Sequence, residues 1–227
     1  MLLQSAVMIV QACVQHNLIA SQLHNSLRNL VRSPGVRWKT SHRRCHVPVN
    51  PNGIPETGGT WADFGSGTDA FTLALAEIVG RDAHLYSIDQ QDSALRQQKQ
   101  TMRRTFPELK VEYIVANYTK SLDLPNLDGI VMANTLHFQR HKDGVLQLVY
   151  RYLRPGGRFI LVEYNIDRGN LWVPHPFSYE SWATMAHRNG FVDTQLLAIR
   201  PSRFMGEIYA AASRKPMTPP VTMGTMR

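Results

Sequence analysis

The segment TWADFGSGTDAFT, residues 60–72, constrains the fold more than any other part of this chain. A short apolar run ends in two glycines, Gly65 and Gly67, and a helical pattern begins immediately after them. Glycine lets the backbone turn sharply and approach a ligand that a side chain would exclude, and the N-terminus of the next helix presents N–H groups to an anion. The segment therefore predicts a strand, a tight turn facing a ligand, and a helix.

A second strand is predicted at 83–88, and it delivers Asp89 to the same edge of the sheet. A carboxylate at this point can accept both hydroxyl groups of a ribose. Gln90 follows it, and we expect this residue along the edge of an adenine ring. The glycine turn and Asp89 together predict a site for a cofactor that contains a nucleoside.

Two kinds of cofactor-binding domain use this arrangement. In a dinucleotide-binding domain, the pattern Gly65-x-Gly67-x-x-Ala70 would match the glycine fingerprint, with Asp89 at about the expected spacing. Asp63 argues against this assignment, because nicotinamide-binding proteins usually have an apolar residue two positions before the first glycine.

Three runs resemble the class I S-adenosylmethionine-dependent methyltransferases. The run Asp63-Phe64-Gly65-Ser66-Gly67-Thr68 is similar to motif I of that family. The run 153–159, LRPGGRF, resembles the family's turn into the fifth strand, and the run 134–137, NTLH, resembles its segment after the fourth. The matches occur in the family's order, and the resemblance covers about residues 58–213.

The predicted fold class is α/β. Strand and helix patterns alternate from residue 58 onward, which indicates a mostly parallel, Rossmann-like sheet with helices on both faces. We expect strands at 60–64, 83–88, 111–116, 129–133 and 158–164, and helices at about 70–79, 92–104, 143–153 and 179–189. Extended runs at 191–199 and 203–212, joined only by residues 200–202, predict a C-terminal antiparallel hairpin and a seven-stranded sheet.

The resemblance also implies roles for the residues of the turn. The loop of Gly65, Ser66 and Gly67 would hold the amino-acid end of S-adenosylmethionine, with its N–H groups on the carboxylate. Asp63 would lie near the ammonium and sulfonium groups, and Asp89 would bind the ribose. In a purely structural alternative, Asp63 is a strand-end carboxylate that caps the turn.

Polar residues after the later strands complete the predicted site. Asn117 stands where the family often has an acidic or amide residue facing the adenine amine, although a turn asparagine explains it nearly as well. Asn134 would contact the methionine portion of the cofactor. His137 is a candidate general base, because imidazole titrates near neutral pH; a structural histidine is the alternative. Further candidates on the acceptor side are Glu163, Tyr164, Trp172, His175 and Tyr179.

Composition limits the function classes. With 227 residues and 43% hydrophobic content, the chain can bury a full core, and no apolar run is long enough to span a bilayer. The net charge is +8, but six of the 25 basic residues and none of the 17 acidic residues precede position 56. The remaining 19 basic and 17 acidic residues nearly balance, so the catalytic region lacks the basic surface typical of nucleic-acid binding. Cys13 and Cys45 have no metal-ligand spacing, and we expect no metal.

Residues 1–57 form a basic N-terminal extension, followed by a methyltransferase domain at 58–214 and a loose tail at 215–227. The extension contains an amphipathic helical pattern that ends at Pro34. It is interpreted as an organelle transit segment, as a helix over the cofactor pocket, or as a poorly ordered extension. We expect a cytoplasmic location, or the mitochondrial matrix or another organelle if the extension is a transit segment.

The expected function is methyl transfer from S-adenosylmethionine to a small-molecule acceptor. The run after the fourth strand lacks the Asn-Pro-Pro-Tyr pattern of enzymes that methylate adenine or glutamine amines, and no Pro-Cys nucleophile is present. An RNA or protein methyltransferase that docks through the basic extension is one alternative. A non-catalytic assembly partner is another, because Asp69 replaces a glycine common in the family. The acceptor atom and the oligomeric state do not follow from the sequence.

Overall fold

The computed structural model describes residues 57–68 and 70–217. The strands are β1 (Gly59–Phe64), β2 (Ala83–Asp89), β3 (Lys110–Val115), β4 (Leu127–Ala133), β5 (Leu153–Tyr164), β6 (Val192–Ser202) and β7 (Gly206–Arg214). The helices are α1 (Ala70–Val79), α2 (Asp92–Thr105), α3 (Asp143–Tyr152), α4 (Tyr179–Arg188) and a short 3-10 helix, Leu136–Phe138. The expectations for residues 1–56, including Cys13 and Cys45, for Asp69 and for residues 218–227 lie outside the described residues. None of the described helices is both long enough and apolar enough to cross a bilayer.

The seven strands form one sheet in the order β3-β2-β1-β4-β5-β7-β6. The first five of these strands are parallel, whereas β7 runs antiparallel to both β5 and β6. The predicted sheet and its C-terminal hairpin are confirmed. The chain proceeds outward from β1 to β3 and then returns to place β4 on the other side of β1. At such a switch point the loops after the two strands diverge, which opens a crevice at the carboxyl edge of the sheet.

Side chains of the central strands pack on both faces of the sheet, as the pleat requires. On one face, Trp61 packs with Leu75 of α1 and Met102 of α2. On the other face, buried side chains of α3 and α4 complete the core, and the ring of Trp182 lies edge-on to Phe159 with centroids 5.4 Å apart. The two cores fix the carboxyl ends of β1, β2, β4 and β5 at one edge, where the predicted site residues lie.

The turn of the C-terminal hairpin lies three residues later than predicted. Residues 200–202, expected as the link, belong to β6 and pair with residues 206–208 of β7. The turn is formed by residues 203–205. Pro201 is typical of a turn, but β6 is the edge strand of the sheet. An edge strand tolerates a residue without an N–H group, because one of its sides has no neighbouring strand.

The run LRPGGRF also differs from its predicted turn. It forms the irregular start of β5, whose pairing with β4 shifts between Leu127 and Gly129. The N–H of Gly156 donates to the carbonyl of Lys215 at 3.0 Å, and the N–H of Lys215 donates to the carbonyl of Gly157 at 2.9 Å. Together with the pairing of Leu153 with Leu127, these strand-like bonds extend β5 back to Leu153.

Candidate cofactor and acceptor site

The two glycines of the turn after β1 serve different purposes. Gly65 has a φ of +73°, and a Cβ placed on it would lie 2.4 Å from Cγ2 of Thr135, in the segment after β4. Gly67 has a φ of +60°, but a Cβ there would meet nothing within 4 Å. Gly65 is therefore required by the close approach of two loops at the switch point. Gly67 is required only by its backbone conformation, and it borders open space.

Asp89 lies beside the glycine turn, as predicted from the sequence. The N–H of Gly67 donates to Oδ2 of Asp89 at 2.9 Å, and the N–H of Gln91 donates to Oδ1 at 2.8 Å. Each carboxylate oxygen keeps a second lone pair, and the residue is partly exposed, so it can still accept the hydroxyl groups of a ribose. Gln90 is exposed next to it.

The other N–H groups of the turn also bond within the protein. Gly65 and Ser66 both donate to the carbonyl oxygen of Ile88, at 2.8 and 3.1 Å. We expected the N–H groups of these residues and of Gly67 to meet a ligand carboxylate, but each of them has a protein acceptor. The bonds tie the turn to the end of β2 and fix its conformation before a ligand binds.

Asp63 is a buried carboxylate at the end of β1. It is 2% exposed, and Oγ1 of Thr72, in α1, donates to its Oδ2 at 2.6 Å. The pKa of Asp63 is raised from 3.8 to about 7: burial raises it most, the hydrogen bond from Thr72 lowers it, and the charge of Asp89 adds to the rise. Asp63 thus bonds a side chain rather than the backbone N–H groups that a capping residue would bind. A carboxylate in this environment is suited to pair with a cation.

Gln98 is a site residue that sequence reasoning missed. It lies on the buried face of α2 with Leu95 and Met102, and it bonds to the glycine turn and to Thr72. A polar residue at helical spacing among apolar ones was the available signal. Its partners, however, lie on other elements.

Glu163 and His137 form a buried pair next to the glycine turn. Oε1 of Glu163 accepts the backbone N–H groups of Thr135, Leu136 and His137 at 3.1, 2.9 and 3.2 Å, so the carboxylate caps the 3-10 helix. Its Oε2 lies 2.7 Å from Nδ1 of His137. When Nδ1 donates its proton to Glu163, Nε2 retains a lone pair that can accept a proton. Oγ1 of Thr135 donates to the carbonyl of Gly65 at 3.3 Å, which joins this pair to the turn.

Aromatic rings line the sheet edge around His137. The ring of His137 lies 4.3 Å from that of Phe138 and 6.1 Å from that of Tyr164, and Tyr164 lies 5.9 Å from Phe204, measured between centroids. Burial, with a smaller contribution from the charge of Glu163, raises the pKa of Tyr164 to about 12, so its hydroxyl stays protonated at neutral pH. Phe138 is 57% exposed and Phe204 is also exposed, and sequence reasoning singled out neither.

The loop between β5 and α4, residues 165–178, borders the same edge. The N–H of His175 donates to the carbonyl of His137 at 3.1 Å. The ammonium group of Lys142 donates to the carbonyl of His175 at 2.9 Å and so anchors the loop. Leu171 is 89% exposed, and Trp172 beside it is also exposed. The loop therefore carries two large exposed apolar side chains.

The other predicted site residues include Asn134, Asn117 and Tyr179. Asn134 follows β4 directly with a φ of +51°, a conformation that is uncommon outside glycine. Oδ1 of Asn117 accepts the N–H of Thr119 at 2.9 Å, which leaves one lone pair for an external donor. The hydroxyl of Tyr179 donates to the carbonyl of Thr194 in β6 at 3.4 Å, so it is directed into the fold.

Comparison with known proteins identifies the family. A family model described as a methyltransferase domain matches residues 56–198. The chain belongs to the class I S-adenosylmethionine-dependent methyltransferases. The resemblance carried by the three sequence runs is thereby confirmed, and the cofactor of the family is S-adenosylmethionine.

Relatives of this methyltransferase include C-methyltransferases of ubiquinone/menaquinone biosynthesis. The ubiquinone/menaquinone biosynthesis C-methyltransferase UbiE of Psychromonas ingrahamii is 30% identical over 165 residues, 69% of this chain and 62% of the relative. The chain thus spans less than two thirds of that relative.

Solved structures of methyltransferases share the fold. A SAM-dependent methyltransferase of Aquifex aeolicus aligns with a TM-score of 0.55 and 18% identity over 70% of this chain and 83% of that one. The 1,6-didemethyltoxoflavin-N1-methyltransferase of Burkholderia thailandensis, which was solved with 1,6-didemethyltoxoflavin and S-adenosylhomocysteine, aligns with a TM-score of 0.57 and 19% identity. That alignment covers 70% of this chain and 72% of the other.

The residues of this methyltransferase fit S-adenosylmethionine. Asp63 offers a buried negative charge that suits an ammonium group, Asp89 offers acceptors for ribose hydroxyls, and open space borders Gly67. Within the described ranges, no group of three or more His, Cys, Asp or Glu side chains is placed to hold a metal ion.

Proposed function

We propose that the protein transfers a methyl group from S-adenosylmethionine to a small molecule that carries a hydrophobic ring. The ring contacts of His137, Phe138, Tyr164 and Phe204 at the carboxyl edge support this proposal most directly. A planar apolar acceptor can stack on the exposed rings of Phe138 and Phe204, whereas the rings of His137 and Tyr164 are buried. A relative that acts in ubiquinone/menaquinone biosynthesis and a structural neighbour solved with 1,6-didemethyltoxoflavin agree with this class of acceptor.

The cofactor-binding residues divide by the part of S-adenosylmethionine that they hold. Asp63 pairs with the ammonium group, and the turn of Gly65, Ser66 and Gly67 adjoins the amino-acid end. Asp89 accepts the ribose hydroxyls. Gln90 and Asn117 bind near the adenine of the cofactor, and Asn134 binds near its methionine portion. This division is supported by the burial of Asp63 and by the bond between Gly67 and Asp89.

His137 acts as the general base in this proposal. Bound S-adenosylmethionine supplies a methyl group already activated by its sulfonium, so the acceptor needs alignment and the loss of one proton. Alignment contributes about 7–11 kcal/mol to lowering such barriers. A general base adds about two to four orders of magnitude in rate. Nε2 of His137 takes the proton, and the buried carboxylate of Glu163 stabilises the imidazolium that forms.

The near balance of charge after residue 55 supports a small acceptor over a nucleic acid. A cytoplasmic location is the last part of the proposal. Residues 1–57 fused to a fluorescent protein test the location, and import into an organelle would contradict it.

Calorimetry with the full chain tests the cofactor. We expect tight binding of S-adenosylmethionine and S-adenosylhomocysteine and no comparable binding of NAD; a preference for NAD would overturn the proposal. The acceptor class is tested by the release of S-adenosylhomocysteine in the presence of menadiol, a naphthohydroquinone, of phosphoethanolamine, or of bulk RNA. Turnover with the hydroquinone supports a ring-bearing acceptor, whereas turnover only with RNA or phosphoethanolamine refutes it.

A further inference from the structure

Gln98 is fully buried on α2, and its amide has hydrogen-bond partners on three other segments. Its Nε2 donates to Oγ1 of Thr72 at 2.8 Å and to the carbonyl oxygen of Gly67 at 3.3 Å. Its Oε1 accepts the hydroxyl of Ser87 at 2.6 Å. An amide buried at this depth lowers stability unless its polar atoms are bonded, so these contacts are a condition for placing glutamine here.

The carbonyl of Gly67 fixes which way the amide points. A carbonyl oxygen only accepts hydrogen bonds, so Nε2 rather than Oε1 must face Gly67. The same end of the amide then faces Thr72, and Oε1 faces Ser87. The orientation of Gln98 follows from chemistry at one contact.

This orientation sets the direction of every other hydrogen bond in the network. Thr72 accepts from Gln98, so its single hydroxyl proton is donated to Asp63. Ser87 gives its single proton to Gln98, so the 2.8 Å contact between Ser66 and Ser87 is donated by Ser66. Hydrogen bonds therefore run in one direction from Ser66, in the glycine turn, to the carboxylate of Asp63.

The network joins the two groups that face the amino-acid end of the cofactor. At one end, Asp63 receives a donor on Oδ2, which leaves Oδ1 for a cation. At the other end, the turn is held on both sides of Gly67, whose carbonyl bonds to Gln98 and whose N–H bonds to Asp89. The network thus connects α2, which supplies no predicted ligand-binding residue, to both groups.

We propose that Gln98 is a positioning residue for S-adenosylmethionine: it holds Asp63 and the glycine turn in the arrangement that receives the amino-acid end of the cofactor. This inference rests on the proposed function, because it assigns the amino-acid end of the cofactor to this part of the site. Gln98 acts through Thr72 and Gly67 rather than by touching the cofactor.

The test compares two ligands that share the nucleoside and differ in the amino-acid end. S-adenosylhomocysteine carries the ammonium and carboxylate groups, whereas adenosine lacks both. In Gln98→Met, a side chain of similar length loses all three hydrogen bonds. We expect affinity for S-adenosylhomocysteine to fall about tenfold or more, while affinity for adenosine changes less than about twofold. Gln97→Met is the matched control, since Gln97 is exposed on the same helix; it should change neither affinity.

A second variant keeps the test decisive if Gln98→Met does not fold. Thr72→Val retains the shape of the side chain and removes only the hydroxyl between Gln98 and Asp63. It should show the same selective loss, and the midpoint of the pH dependence of S-adenosylhomocysteine binding should rise, because the hydrogen bond that lowers the pKa of Asp63 is lost. The charge of Asp89 also acts on Asp63 and is unchanged in this variant.

Two negative results have different meanings. If the wild-type chain binds neither S-adenosylmethionine nor S-adenosylhomocysteine, the proposed function fails. If it binds both, but the folded variants lose adenosine and S-adenosylhomocysteine in parallel, or lose neither, Gln98 is a purely structural residue and the inference is overturned.

Discussion

Cofactor binding is expected to weaken steeply below pH 7, because Asp63 must be ionised to pair with an ammonium group. Burial raises the pKa of Asp63 to about 7. With that pKa, about half of the molecules carry an ionised Asp63 at pH 7.0 and about 3% do so at pH 5.5. If only the ionised form binds the ammonium group, affinity for S-adenosylhomocysteine falls about fifteenfold over this range, on the order of 1.6 kcal/mol.

Titration calorimetry between pH 5.5 and 7.0 measures this loss directly. Adenosine is the internal control, because it occupies the nucleoside part of the site without an ammonium group and should lose little affinity. Asp63→Asn should bind S-adenosylhomocysteine weakly with a flat pH profile. Repeating the titration in buffers with different ionisation enthalpies should reveal a proton released on binding near pH 6. A flat wild-type profile, or equal losses for both ligands, would refute the pairing of Asp63 with the cofactor.

The raised pKa of Asp63 also makes the free energy of unfolding depend on pH. The folded chain holds this proton more tightly than the unfolded chain, so the stabilisation is fully present below about pH 4 and is lost as pH rises through 7. A shift from 3.8 to about 7 corresponds to at most about 4 kcal/mol. The ligand-free wild-type chain should therefore lose stability relative to Asp63→Asn between pH 4 and 7.5 in denaturant titrations. A difference in free energy of unfolding that does not vary with pH would contradict the raised pKa.

Four further variants separate the parts of the site. Asp89→Ala should weaken both adenosine and S-adenosylhomocysteine by about 1.5–3 kcal/mol in calorimetry, because both contain the ribose; unchanged affinity would remove Asp89 from the site. Gly65→Ala should lower the melting temperature strongly, since its methyl group would overlap Thr135, whereas Gly67→Ala should cost only about 1–2 kcal/mol for its positive φ. Glu163→Gln should reduce kcat about tenfold or more without changing S-adenosylhomocysteine affinity; a normal kcat would exclude the pair with His137 from catalysis.

Local signals in the sequence were sufficient for the sheet and for one wall of the site. The glycines, the strand before them and Asp89 lie within 30 residues, and each carries its own conformational or chemical signal. The parallel strands then had to bring their carboxyl ends together, and the bond between Gly67 and Asp89 reflects this. The hairpin turn was misplaced because Pro201 has the same local preference at a turn and on an edge strand, and only the strand order distinguishes them.

Side chains whose role depends on distant partners could not be assigned from the sequence. Gln98 lies 31 residues from Gly67 and 26 from Thr72, and Glu163 lies 26 residues from His137. No local pattern predicts that Gln98 in α2 will bond to the carbonyl of Gly67 in the glycine turn. None predicts that Glu163 will cap the segment after β4 instead of facing an acceptor. These contacts form only when the sheet brings its strands and the flanking helices together.

Two buried carboxylates at the same sheet edge, Glu163 and Asp63, differ in how far the protein compensates their charge. Glu163 receives three backbone N–H groups and an imidazole, so its charge is compensated by the protein itself. Asp63, among the described residues, receives one hydroxyl donor, so its ionised form needs an external cation. In the proposed mechanism, the fixed pair of Glu163 and His137 preserves the geometry for proton removal. Asp63, with one hydroxyl donor among the described residues, would become fully ionised only when the ammonium group of the cofactor arrives.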